Sequence, residues 1–373
     1  MKSPRRSVWL ALFVVFATAS CACAAEAGAR PADGRFLYVA VPGVRDYLEY
    51  GGFGVLVFDI DHSHRFVRRI TSSGVDDKET PLNVKGICAS AATQRLYVSN
   101  TKSLICFDLT TDQILWEKNY EGGCDRMSIT PDGKVIYLPS FEGPHWHVID
   151  ALTGEVLAKI SPNSGAHNTI VGPDAKEAYL AGLKSPLLTV ADTASRSAAR
   201  TVGPFGNFIR PFTVNGAQSV VYVNVNGLLG YEMGDLKTGR VLRRVEVVGF
   251  ESGGVKRHGC PSHGIALTLD EKEVWLADAH NRRLHLFSND VMPPKQLASI
   301  ELRDEPGWIT FGIDGWLVYP STGDVVDSRK RKIVATLQDE NGIDVQSEKL
   351  LEIDFAAGHA VRAGNQFAIG GVR

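Results

Sequence analysis

No stretch of this 373-residue chain carries a long run of like charge, and its formal net charge is only −2. That balance argues against a broad electrostatic partner such as an anionic membrane surface or duplex DNA. Nucleic-acid binding draws most of its affinity from Lys and Arg, so a nucleic-acid partner is not expected. The short basic run Arg329, Lys330, Arg331 and Lys332 reads as a solvated turn. Several reaction signatures are also missing: no G-x-S-x-G elbow, P-loop, H-E-x-x-H, EF-hand loop, G-x-G-x-x-G fingerprint or CxxCH occurs. Cysteine is scarce, and Cys88, Cys106, Cys124 and Cys260 are too widely and irregularly spaced for a zinc-type CxxC pair. In an oxidising compartment these four allow three full pairings, and buried free thiols on strands are the other reading.

The one long apolar run stands at the N-terminus. Lys2, Arg5 and Arg6 precede "VWLALFVVFATA", and small residues follow in "SCACAAEAGA". Basic, apolar and small-residue segments in that order make a secretory signal, and the run is short for a membrane span. Residues 1–25 are therefore expected to be a signal peptide and residues 26–373 one exported domain, periplasmic or secreted. Lipidation of Cys21 is the alternative, and Arg5-Arg6 is a weak twin-arginine feature.

The rest of the chain repeats. "RLYVSNTKSLICFDLTTDQILWEKN" from Arg95, "VIYLPSFEGPHWHVIDALTGEVLAKI" from Val135 and "VVYVNVNGLLGYEMGDLKTGRVLRRV" from Val220 share one plan. An aromatic-centred strand is followed by a polar break, a second strand ending near Asp, a turn and a third strand. A further strand and turn precede most copies, as in "MSITPDGK", "TIVGPDAK" and "IALTLDEK". Seven such units recur at roughly forty to fifty residues, the pattern of a propeller with four strands per blade. Period-2 alternation excludes a helical solenoid. The first unit lacks a leading strand, whereas surplus sequence follows the last. The all-β, seven-bladed ring is therefore expected to close with a strand contributed after about Glu348.

The units "LYVSN", "VIDALTGEVLAKI" and "SHGIALTLDEKEVWLAD" resemble those of bacterial YVTN-repeat, YncE-like seven-bladed propellers, over nearly all of the mature chain. The resemblance implies fold strongly and function weakly, because related propellers include nucleic-acid binders, lactonases and lyases.

Propeller ligands usually sit where the innermost strands begin. Seven residues before Asp132, Asp174 and Asp270 in the closing turns stand Asp125, His167 and His263. The same count reaches Gly307 beside Trp308 in the seventh unit and Lys85 in the second; in the fifth it falls between Phe208 and Arg210. Asp125, Arg126, His167, Asn168, Arg210 and His263 are thus candidate ligand-binding residues at a channel mouth. Asp278 and His280 are added because Asp278 replaces the small or amide residues Asn100, Ser140 and Gly182. Asp125, His167 and His263 are the catalytic candidates, and His167 with His263 the candidate ligands of a divalent metal. His145 and His147 form an i, i+2 pair expected at the surface, as are His62, His64 and His285.

Two functions follow from this arrangement. One is a binding or scaffold propeller with a small-molecule or protein partner at the channel face; a monomer is expected, without a membrane span after signal cleavage. The other is a metal-assisted enzyme acting on a lactone or sugar-like substrate. For the leader, N-terminal sequencing of protein from the native host should begin near Ala25 or Glu26. An intact Met1 excludes cleavage, and a lipidated Cys21 selects the anchored form.

Overall fold

The computed structural model describes residues 32–72, 76, 78 and 80–371, so the expected signal peptide lies outside the described residues. No helix occurs among them, and the strands form seven antiparallel sheets. Six sheets have four strands in chain order, from Val84–Ser90 in blade two to Lys332–Thr336 in blade seven. The innermost strands touch in cyclic order, each blade against the next, and the strand Leu350–Ala356 lies between those of blades seven and two. The sheets therefore form a closed seven-bladed ring.

Local sequence dictates how each strand sits. The second strand of every blade centres on an aromatic residue: Tyr38, Tyr97, Tyr137, Tyr179, Tyr222, Trp275 and Tyr319, each at most 3% exposed. Second and third strands are buried along almost their whole length, as in "RLYVSN" and "SLICFD". A blade is sandwiched between two neighbours, so both faces of its central strands must be apolar. Outermost strands meet solvent instead, and "ILWEKN" alternates between exposed and half-buried positions. The residue closing the first turn lies at positive φ, from 52° at Gln218 to 74° at Gly315. Glycine suits that conformation best, yet Gln94, Ala175, Gln218 and Glu271 also adopt it, which is why turn residues alone undercount the repeats.

Blade one joins the two ends of the chain. Leu350–Ala356 pairs antiparallel with Gly34–Val41, placing Leu351 opposite Tyr38, and so supplies the missing innermost strand. The chain then turns back as a fifth strand, His359–Ala363, on the inner side of Leu350–Ala356. Beyond it the tail crosses the channel at the end where the first turns lie. Gln366 donates to the Met127 carbonyl, Trp308 donates to the Gln366 carbonyl, and the Ala368 carbonyl accepts from Thr213 and the Leu267 amide. Blades three, five, six and seven are thereby tied to one plug.

Leu351, Ile353 and Phe355 are at most 8% exposed. Their burial contributes roughly 5–9 kcal/mol, most of the net stability of about 5–15 kcal/mol typical of a domain. Deleting Leu350–Arg373 should abolish the cooperative thermal transition, whereas deleting only Asn365–Arg373 should lower the melting temperature and leave one transition. An unchanged melting temperature in the longer deletion would show that the ring does not need its closing strand.

Candidate functional site

Register places one residue of each blade at the same point of the innermost strand. The residues opposite the seven aromatics are Leu351, Cys88, Ser128, Ile170, Thr213, Ala266 and Thr310. Three positions earlier stand Glu348, Lys85, Asp125, His167, Arg210, His263 and Gly307. These residues mark the channel mouth opposite the plug, and six of them line one cavity of about 200 Å³. Gly307 leaves its place open; a Cβ there would collide with the His258 ring and the Glu348 carboxylate.

Three pairs of neighbours in the ring touch. Lys85 lies 3.8 Å from Asp125. His167 Nδ1 is 2.7 Å from the Asp125 carboxylate. His263 Nδ1 is 2.8 Å from the Gly307 carbonyl. Asp125 is fully buried; burial alone would raise its carboxyl, but His167, Lys85 and Arg126 together hold it below the usual range. Arg210 donates to Asn226 at 2.5 Å.

Glu348 is the centre of charge. Its carboxylate takes Arg126 at 3.0 Å, Lys349 at 2.9 Å and His258 at 3.0 Å. Burial would raise it, yet Lys349, His258 and His263 hold it well below the ordinary value. Lys349 moves the other way. Burial lowers it, only partly offset by Glu348, and with Arg126 and Lys85 nearby it falls to about 7. Arg126 also stacks on the Trp308 ring, 3.4 Å from its centroid. Because Trp308 in turn holds Gln366, that stack separates the mouth from the plug.

A loop between blades five and six covers the mouth. Arg257 anchors it through Asp304, Gln346 and Tyr50 at 2.6–2.8 Å, and His258 then stacks on His263 with centroids 4.9 Å apart. Arg45, from the loop after Gly34–Val41, donates to the Arg257 carbonyl.

The structure therefore gathers Asp125, Arg126, His167, Arg210 and His263 at one cavity. Asn168 follows His167 in the innermost strand Ala166–Val171 of its blade and is 1% exposed with neither amide atom bonded, and it does not line that cavity. Asp278 and His280 also lie outside it, against the covering loop. Asp278 is fully buried and accepts from Asn281 and His285, while His280 contacts the Gly254 carbonyl. The surface placement of four other histidines needs correction, because each is buried beside a partner. His145 and His147 are buried 3.1 Å apart, His285 is buried on Asp278, and His64 is buried against Tyr319 and pushed by burial to about 4. Only His62 of this group is exposed, with its side chain at 72%. Cys88, Cys106, Cys124 and Cys260 are free and buried.

Glu348, Lys349, His258, Arg257 and Arg45 were not legible as site residues. Glu348 had one signal: it precedes by three the residue facing Tyr38, as Asp125 precedes the residue facing Tyr137. Seeing it required knowing which tail residue pairs with Tyr38.

For a metal, His263 groups with His258 and Glu348 rather than with His167; their ligand atoms lie within 4.8 Å of one another. Such a donor set suits zinc or copper. A cation there would have to share Glu348 with Arg126 and Lys349, and like charges at this depth repel strongly. A larger cavity of about 400 Å³ opens at the plug end. Its lining is mainly apolar, and its one charged side chain, Arg362, is paired with Asp354.

No known family profile matches this chain, and no curated protein sequence matches it. Among solved structures it is similar to hydrazine synthase of Kuenenia stuttgartiensis, at 14% identity and a TM-score of 0.47 over 70% of this chain and 97% of that one. At that level of likeness no activity or partner is carried across.

Replacing Glu348 by Gln should leave Arg126 and Lys349 without their shared carboxylate. A carboxyl depressed in the folded state contributes stability above its unfolded value of about 4.3, and that contribution is lost as pH falls below it. Glu348→Gln should therefore cost on the order of 3 kcal/mol near neutral pH. The difference should shrink below about pH 4 in denaturant titrations. A pH-independent difference would remove the carboxylate from this role.

Proposed function

We propose that this protein is an exported binding propeller that takes a small anion at the channel mouth. The observation carrying this reading is unbalanced charge. Arg45, Lys85, Arg126, Arg210, Arg257 and Lys349 line the cavity, against Asp125, Glu142 and Glu348. Asp125 and Glu348 are already engaged by ring partners, and Arg257 is paired with Asp304. Arg45 and Arg210 make no ion pair among the described residues, and Lys85 reaches Asp125 only at 3.8 Å. Glu142 is the one lining carboxylate with no ion pair among the described residues, so the donors outnumber the carboxylates left to meet them, and such a partly enclosed cavity suits a carboxylate or phosphate oxygen. The cavity size fits a compact ligand rather than a polymer. The YVTN-repeat resemblance and the leader support export.

The alternative, a metal-assisted lactonase- or lyase-like enzyme, would rest on His258, His263 and Glu348. Calorimetric titration with malate, succinate, phosphate and sulfate separates the two. Saturable binding of at least one anion is expected, weakened about tenfold by Arg210→Ala, the loss of one charge-assisted contact, and insensitive to chelators. Absence of binding by all four would defeat the anion reading, and binding abolished by a chelator would favour the metal site.

A further inference from the structure

Resting on that anion reading, we infer that the ligand is an oxyanion carrying its own hydroxyl, such as a hydroxycarboxylate or hydrogenphosphate, and that His167 accepts the hydroxyl proton in a hydrogen bond.

The inference comes from which ring nitrogens are already used. His167 Nδ1 lies 2.7 Å from the Asp125 carboxylate, which also accepts the Arg126 amide at 3.0 Å and lies fully buried. A carboxylate kept ionised by its surroundings can only be faced by an N–H, so Nδ1 carries the proton. In the neutral imidazole that leaves a lone pair on Nε2. His167 forms part of the cavity wall, and its Nε2 makes no hydrogen bond among the described residues. His263 repeats the pattern. Its Nδ1 meets the Gly307 carbonyl, an acceptor that also requires N–H, and its Nε2 is likewise unbonded.

The cavity thus presents two kinds of group. Lys85, Arg45 and Arg210 offer only N–H donors and satisfy ligand oxygens. The two histidines offer acceptors, which a bare oxyanion cannot satisfy and would only repel. A hydroxyl on the ligand supplies the missing donor. Sites that hydrogen-bond a hydroxyl reject analogues lacking it far more strongly than apolar pockets do, because their buried acceptors are left unpaired.

The test uses pairs of equal charge at about pH 8, where imidazoles are ordinarily neutral. Malate is compared with succinate, and hydrogenphosphate with sulfate, by calorimetry on the full mature protein. The hydroxyl-bearing member of at least one pair should bind about tenfold more tightly or better. The pair that discriminates identifies the source, hydroxycarboxylate or phosphate. His167→Leu, which removes the acceptor without supplying another, should cut that ratio to threefold or less while binding persists, with a single cooperative melting transition as the folding control. Equal affinities within both pairs in the wild type would overturn the hydroxyl requirement and leave the anion reading standing. Binding by none of the four would overturn both. A ratio unaffected in a folded His167→Leu variant would remove His167 from the role.

Discussion

Antiparallel pairing of Leu350–Ala356 with Gly34–Val41 is the contact on which both the ring and its mouth depend. Without it, Gly34–Val41 presents an open edge to a channel whose other six innermost strands come from their own blades, and Tyr38 loses the side chain it packs beneath. An open edge is also a site for unwanted pairing with another chain. The same pairing fixes the register of the two residues just before that strand. Glu348 and Lys349 are carried by the closing strand, so the centre of charge at the mouth forms only when the ring does. Folding and site assembly are one event in this molecule.

Charge at the mouth is arranged around that single carboxylate. Glu348 balances Arg126 and Lys349 and holds His258, which the covering loop brings down over His263. Buried ion clusters rarely add net stability over an apolar core, because desolvation offsets most of the attraction. Here the cluster does something a hydrophobic set would not. It occupies the carboxylate with Arg126 and Lys349 and leaves Arg45 and Arg210, which make no ion pair among the described residues, in the wall of the cavity. Gly307 is part of the same arrangement, since its missing side chain makes the space that His258 and Glu348 fill.

The two ends of the channel are built for different purposes. At the mouth, polar side chains converge and two loops lean in. At the other end the tail spans blades three, five, six and seven through backbone carbonyls, and the cavity beside it is mainly apolar. Arg126 stacked on Trp308 lies between them. On the proposed reading, a ligand entering the mouth would meet the ring residues and stop at that stack, so recognition would rest on a single layer of side chains.

Much of the fold was legible because its cause is local and repeated. Aromatic-centred strands, turns and a missing first strand appear as periodic patterning, and the period of the apolar residues is a direct consequence of blades packing face to face. Asp125, His167 and His263 could be aligned for the same reason, since a fixed distance to a turn is a property of one strand. Residues that reach the site from outside the repeat were not accessible in that way. Arg45, Arg257 and His258 come from loops whose lengths differ between blades, and Glu348 comes from a strand whose turn does not share the Asp of the others. The surface reading of His64, His145, His147 and His285 failed because a polar side chain in a strand or turn looks the same in sequence whether it meets solvent or a partner: His147 and His285 sit on strands, His145 just before one, and His64 in a turn against Tyr319 of another blade. Composition and periodicity by themselves determined the blade, the number of blades and the need for a closing strand. Only the tertiary structure decided which tail residue meets Tyr38, and therefore which carboxylate stands among the histidines, because that choice is made by pairing between segments more than three hundred residues apart.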